Sequence, residues 1–288
     1  MNFRTDLALE RREMIKTELE GVSVKETEND ECKITTIDIT SKASAQKLGK
    51  GEGRYITIEM NAFSDEAAVS DGRLRALVDS ISELLPEHTE SVLVAGVGNG
   101  DITSDALGPM TASKIFVTRH IDEDLRKSAG FSQKLRMVSA VSTGVLGQTG
   151  IESSEYIKSI CEIVKPDCII TVDALAAGSV SRLGTTVQMS DTGVAPGSGI
   201  GNNRKRIDES FIGVPVIAIG IPTVVDAVSL ACELTGTNSE ELNYNGMAKG
   251  AGLIVAPKDI DLMVKNASYL LGLAINCALQ PTLSAKDL

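Results

Sequence analysis

From Ser91 onward the chain alternates short Val/Ile-rich runs with amphipathic stretches, and this rhythm restricts the fold more than any other feature. The runs 91–97, 136–141, 168–172, 185–189 and 214–220 read as strands, with helices expected near 106–118, 152–164, 223–234 and 257–279. Strands that alternate with helices predict βαβ units, and so an α/β fold with a mostly parallel sheet flanked by helices. Ahead of them, the charge-rich residues 1–30 are expected as a helical or mobile arm. Lys33–Ile39 and Arg54–Glu59 alternate as half-buried strands do, and an amphipathic helix is expected from Ser64 to Leu85, closed by Pro86. No internal repeat and no linker rich in Pro, Gly or Ser divides the chain, so one α/β domain with an N-terminal strand-bearing extension is expected.

Two of the apolar runs end on the same tripeptide. Ser91–Val97 leads to Asp105-Ala-Leu, and Cys168–Val172 leads to Asp173-Ala-Leu. In open parallel sheets the ligand crevice lies beyond the carboxyl ends of the strands, where Asp105 and Asp173 would face one site. An acid just before a helix-compatible Ala-Leu also suits a helix N-cap, and both readings stand for each residue taken singly. If the two carboxylates share a crevice, repulsion keeps one protonated, and the pair serves as base toward water and acid toward a leaving amine.

Composition narrows the alternatives. A formal charge of −11 and a pI near 4.8 exclude a nucleic-acid surface, which needs a concentrated basic face. Five scattered cysteines without a CxxC pair suggest reduced core thiols in a cytoplasmic protein. No leader peptide is visible, and no later stretch is expected to approach a membrane-spanning length. A divalent metal held by the two acids would call for a third ligand, and the chain has only His88 and His120. No metal site and no cofactor is therefore expected.

Three glycine-bearing loops are candidates for substrate contact. In Gly96–Asp105 the GxGxG spacing is wrong for a dinucleotide fingerprint and the acids would repel a pyrophosphate, whereas small residues such as Gly98 and Asn99 let a peptide backbone approach. In Ser142–Glu152, Gln148 and Thr149 are candidate contacts, with Thr149 and Glu152 also spaced as a capping box. The loop Asp191–Lys205 carries Ser198 and the cations Arg204 and Lys205; it reads as an anion cradle or as a structural loop needing positive φ. Ser198 is not in a nucleophile elbow, since Gly197 precedes it directly.

With these loops laid out, the chain resembles the germination proteases of spore-forming bacteria. The resemblance is carried in order by Arg4-Thr-Asp-Leu-Ala8, Gly53-Arg-Tyr55, Asp105-Ala-Leu-Gly-Pro109, Thr118-Arg-His120, Gly147-Gln-Thr-Gly-Ile-Glu152, Asp173-Ala-Leu-Ala176, Pro196-Gly-Ser-Gly199 with Gly201-Asn202, and Pro215 to Ala227. It implies an atypical aspartic endopeptidase acting on small acid-soluble spore proteins, with Asp105 and Asp173 as the catalytic pair. It further implies a zymogen whose residues 1–6 are removed by scission between Asp6 and Leu7, leaving 7–288 as the peptidase domain. A homo-oligomer, a tetramer, is implied, with a fold similar to the hydrogenase-maturation peptidases, a metal-using group that supplies the alternative mechanism. An inactive binding relative is the non-enzyme alternative. The chain departs from the family pattern at Ser104 and Thr143, where Pro is usual, and at Gly178, where Arg is usual; the stretch from Ala227 to Leu253 is short.

Overall fold

The computed structural model describes residues 5–15, 17–64, 71–122, 124, 128, 135–197, 204–236 and 252–283. In chain order the elements are α1 (Ala8–Glu13), β1 (Val22–Glu28), β2 (Cys32–Ile39), α2 (Lys42–Leu48), β3 (Gly53–Met60), α3 (Asp71–Leu84) and β4 (Ser91–Gly96). A 3₁₀ turn (Thr103–Asp105) then leads to α4 (Leu107–Ala112), β5 (Met137–Ser142), α5 (Leu146–Thr149), α6 (Ser153–Val164) and β6 (Cys168–Ala177). After a second 3₁₀ turn (Val180–Arg182) come β7 (Thr186–Ser190), α7 (Glu209–Ile212), β8 (Val216–Asp226), α8 (Ala227–Thr235), β9 (Ile254–Val255) and α9 (Ile260–Leu279).

These strands form one mixed sheet in the order β1-β2-β3-β7-β8-β6-β4-β5, with β9 paired to β8. The half β8-β6-β4-β5 is parallel, as the strand and helix alternation predicts, and the half β1-β2-β3-β7 is antiparallel. The two halves join where β7 runs antiparallel to β8. α3 and α9 cover one face, where Leu77, Ile81, Leu270, Leu271 and Ile275 pack on Ile58, Val94 and Ile170. On the other face Ile157 and Cys161 of α6 pack on Leu93, Ala95, Ile169 and Val216. Cover on both faces is why β4 and most of β6 and β8 read as unbroken apolar runs.

Several boundaries differ from expectation, each for a physical reason. β6 runs on to Ala177 and β8 to Asp226, beyond the expected ends at 172 and 220, because the two strands continue to pair past a bulge at Leu175/Ala176. A buried apolar run has no period that separates strand from helix, so the start expected at Thr223 belongs to the strand. The following helix begins only at Ala227, where the Asp226 carboxylate accepts from the Val228 and Ser229 N–H groups. α4 stops at Ala112 rather than 118, because the Thr118 and Arg119 amides bond the Val138 carbonyl and draw the β-branched stretch alongside β5. β1 lies in the expected arm: its residues are almost all exposed, as suits a charged edge strand with no apolar alternation to betray it. The expected helix start at Ser64 falls largely outside the described residues; α3 is described from Asp71.

One expectation needs correction. α9 has the length and composition of a membrane span, with a mean hydropathy of 1.3 over its apolar window. It is instead a core helix, with 67% of that window buried and Leu270, Leu271, Ala274 and Ile275 inaccessible.

Candidate active site

The carboxyl ends of the adjacent parallel strands β4 and β6 build the site. β4 ends at Gly96, and the Val97 amide still bonds the Val172 carbonyl of β6 at 2.8 Å, so the loop leaves the sheet beside β6. Gly98 then takes φ +122, and a Cβ there would meet the Asp105 carbonyl oxygen at 2.1 Å. The loop thus folds tightly back on Asp105, and the Asn99 amide donates to the Asp105 carboxylate at 2.7 Å. The turn beyond it needs Gly108 just as strictly, since a Cβ there would meet the Val97 oxygen at 2.2 Å and the Val172 oxygen at 2.4 Å. Gly108 lets the first turn of α4 sit directly over the ends of β4 and β6, a requirement the sequence signals only as a glycine after Asp105-Ala-Leu. Thr223 of β8 ties the same turn down by donating its hydroxyl to the Ser104 carbonyl at 2.7 Å.

Asp173 sits within β6, paired in register with Gly220 of β8. It is therefore not a helix cap. Asp105 is not one either, for α4 has Ala106 at its N-cap and no side-chain bond there. Both acids line a cavity of about 280 Å³ together with Asp6, Ser104, Ser153, Arg204 and Thr223. Asp173 is only 4% exposed, and burial, then the charges of Asp105 and Asp6, hold its carboxyl well above the usual carboxylate range. The Asp105 carboxyl is raised by burial but pulled back by the Asn99 N–H and by the Arg204 cation. Two acids of unequal environment in one cavity can divide the roles of proton donor and acceptor.

Arg204 is the cation facing this pair, and its Nη1 is buried without a hydrogen-bond partner. Lys205, its neighbour in sequence, instead pairs with Glu155 at 2.6 Å on the surface. The exposed Gln148 donates to the half-buried Asn99 and to Asp101, the latter at 3.0 Å, and so knits two loops together. The Thr149 hydroxyl serves its own loop, bonding the Val145 and Ile151 carbonyls. The capping box expected of Thr149 and Glu152 does not form: α6 begins at Ser153 with Glu152 at its N-cap and no side-chain bond. Ser198 lies outside the described residues, while Pro196 and Gly197 just before it line the cavity.

Asp6 and Leu7, from the candidate scission point, are also at the site. Asp6 lines the cavity and exchanges two bonds with Ala176 of β6, its amide donating to the Ala176 carbonyl and its carboxylate accepting from the Ala176 amide, each at 2.9 Å. Leu7 is fully buried against Leu175 and Ala177. Sequence reasoning did not place either residue beside Asp173, because nothing local in the first turn encodes a contact with residues 170 positions away.

All five cysteines are free, and burial pushes the Cys161 thiol up to about 11 and the Cys168 thiol up to about 12, which leaves them inert at neutral pH. Both histidines are exposed and neither lines the cavity. Among the described residues, no group of three or more His, Cys, Asp or Glu side chains is arranged to hold a metal ion.

Comparison with known proteins gives this geometry a family. The family model described as germination protease matches residues 4–237. The germination protease of Caldanaerobacter subterraneus subsp. tengcongensis is 43% identical, with 100% of this chain and 97% of that protein covered. The Clostridium perfringens germination protease is 36% identical over 100% of this chain and 98% of that one, and the Bacillus subtilis protein 42% identical over 80% and 65%. A solved [NiFe] hydrogenase maturation protease, HycI from Thermococcus kodakarensis, is similar at 16% identity and TM-score 0.38 over 69% of this chain and 98% of that one. With a family model spanning most of its length and relatives of this identity aligned along the whole chain, the protein belongs to the germination protease family.

Proposed function

We propose that this protease is an endopeptidase that begins the degradation of small acid-soluble spore proteins during germination, with Asp105 and Asp173 activating water. The observation that carries the reading is the pair itself: two carboxylates, one from the turn after β4 and one from within β6, in one cavity, with burial holding the Asp173 carboxyl well above the usual carboxylate range. One acid takes a proton from water as it adds to the peptide carbonyl, and the other gives a proton to the departing amine. An extended substrate runs along Gly98, Asn99, Gln148, Thr149 and Pro196-Gly197, with Ser198 as a further contact. The protein works as a homo-oligomer, a tetramer, in the cytoplasm of the spore, with no nucleic acid, membrane or cofactor needed for the reaction.

The chain is made as a zymogen that removes residues 1–6 between Asp6 and Leu7. The position of Asp6 in the same cavity as the acid pair supports this, since the residue before the bond to be cut already lines the site. Purified protein should trim its own N-terminus and then cut an acid-soluble spore protein, read by mass spectrometry. Undiminished cleavage by Asp105→Asn or Asp173→Asn would overturn the mechanism. A second reading, metal-dependent cleavage, would use Asp105 and Asp173 as two of its ligands. It requires loss of activity with a chelator and recovery with a divalent ion, whereas the aspartic reading requires indifference to both.

A further inference from the structure

The Asp6 carbonyl is gripped by residues of the antiparallel half of the sheet. Lys50, just before β3, and Gln188 of β7 both donate to this oxygen, Gln188 from its Nε2 at 2.9 Å. The other end of the same Gln188 amide accepts from the Ala8 amide, so one side chain holds both flanks of the Asp6–Leu7 bond. Lys50, half-buried as a residue, has its ammonium pushed down to about 8 chiefly by burial. Sheet register explains the placement. Asp173 pairs with Gly220, and Gly220 pairs with Gln188, so the three form one row on the same face of β6, β8 and β7. Two strand spacings separate Asp173 from Gln188, roughly 9–10 Å between backbones. The middle position carries no side chain, and Asp6 lines the cavities on both sides, one with Asp105 and Asp173 and one with Lys50 and Gln188.

We propose that Lys50 and Gln188 are the electrophilic clamp of this protease, holding the carbonyl oxygen of the residue before the scissile bond and stabilising the oxyanion that forms there. The inference rests on the reading of Asp6–Leu7 as the bond that is cut. Water adds to the Asp6 carbonyl carbon and loses its proton to the acid pair. The oxygen's developing charge is met by the Lys50 ammonium and the Gln188 N–H, which keep their protons. The carbon–nitrogen bond to Leu7 then breaks as the Leu7 nitrogen takes a proton from the acid pair. Donors set in place before reaction and shielded from water stabilise such an oxygen far better than bulk water does. Once residues 1–6 leave, the clamp is free to receive the corresponding carbonyl of an external substrate.

The test compares Lys50→Met, Gln188→Glu and Asp173→Asn with wild type in the full chain. N-terminal trimming is followed by mass spectrometry. A second assay gives a chain beginning at Leu7 a peptide spanning residues 1–12 of this sequence. Gln188→Glu keeps an oxygen to receive the Ala8 amide, while its second carboxylate oxygen replaces the donor to the carbonyl and adds a negative charge. The clamp requires each variant to slow trimming about 100-fold or more, the usual effect of losing one oxyanion donor, with the loss in kcat of the peptide assay and KM changed far less. Thermal unfolding should show both variants folded. Wild-type trimming in both variants while Asp173→Asn is inactive would overturn the clamp and leave the catalytic pair standing. A loss confined to KM would also overturn it, reducing the two residues to substrate binding. If Asp173→Asn trims as wild type does, or wild type never cuts at Asp6–Leu7, the underlying reading fails.

Discussion

In the proposed reaction the two halves of the sheet divide the work. The parallel half, β8-β6-β4-β5, carries Asp173 within β6 and Asp105 in the turn after β4, while the antiparallel half, β1-β2-β3-β7, brings Lys50 and Gln188 to the Asp6 carbonyl. The parallel half is an ordinary crevice at strand ends, legible from its repeated tripeptide. The antiparallel half contributes no motif, yet its last strand pairs with β8 so that Gln188 falls in the same row as Asp173. Acids without a clamp would meet an unpolarised carbonyl, and a clamp without acids would hold a substrate and leave it uncut. The seam between β7 and β8 is where the two meet.

The largest expected effect comes from the parallel half. Asp173→Asn or Asp105→Asn should lower peptide cleavage about 10³-fold or more, at the upper part of the range for general acid–base groups, measured as kcat in a peptide assay. Gly108→Val should follow, because its Cβ would stand 2.2 Å from the Val97 oxygen and 2.4 Å from the Val172 oxygen. Displacing α4 should cost about 1–3 kcal/mol in denaturant unfolding and should misplace Asp105, with activity falling more than stability. An equally large activity loss from a variant of the antiparallel half outside Lys50 and Gln188, for instance in the exposed β1, would break the division.

The next effect sharpens it through stability. Burial and neighbouring acids raise the Asp173 carboxyl in the folded protein. Its contribution to stability is therefore complete below the unfolded value, near 3.9, and is lost as pH rises through the folded value. Asp173→Asn should raise the thermal midpoint at pH 7 and give no gain near pH 3. Lys50 shows the mirror case, its ammonium pushed down to about 8 chiefly by burial. Its charge costs stability below about 8, and that cost fades as pH rises from there through the unfolded value near 10.4. Lys50→Met should thus be at least as stable as wild type at pH 7, an inactive protein that is well folded. Both residues would then be kept for reaction at the expense of stability, one in each half.

Smaller shifts should come from the cavity wall. Arg204 lowers both acids electrostatically, so Arg204→Met should move the acid limb of the kcat/KM profile to higher pH. Gln148→Ala breaks only exposed contacts to Asn99 and Asp101, and its effect on KM should stay within about tenfold while kcat holds.

Much of this was open to reading in the primary structure, and the failures have a pattern. The alternation of strand and helix, the apolar central strands and the two Asp-Ala-Leu sites follow from local period and short motifs, which is what a sequence displays. β1 escaped because an exposed edge strand has no buried face to write into its residues. The ends of β6 and β8 were misjudged because a run buried on both faces has no period, and only pairing between the two strands shows how far each extends. Asp173, which the sequence leaves open as a helix cap or a crevice acid, is accordingly a strand residue.

What the sequence determined by itself is the repertoire: an α/β chain, two acids after apolar runs, a Thr-Asp-Leu-Ala segment near the start, and a family resemblance. What tertiary structure alone decided is company. That Asp6 bonds Ala176, that Lys50 and Gln188 share one carbonyl, and that Gly108 seats a helix against Val97 and Val172 are contacts between residues far apart in the chain. The physical reason is that hydrogen bonding and steric fit act over a few ångströms of space, and only the paired sheet brings those residues within that range.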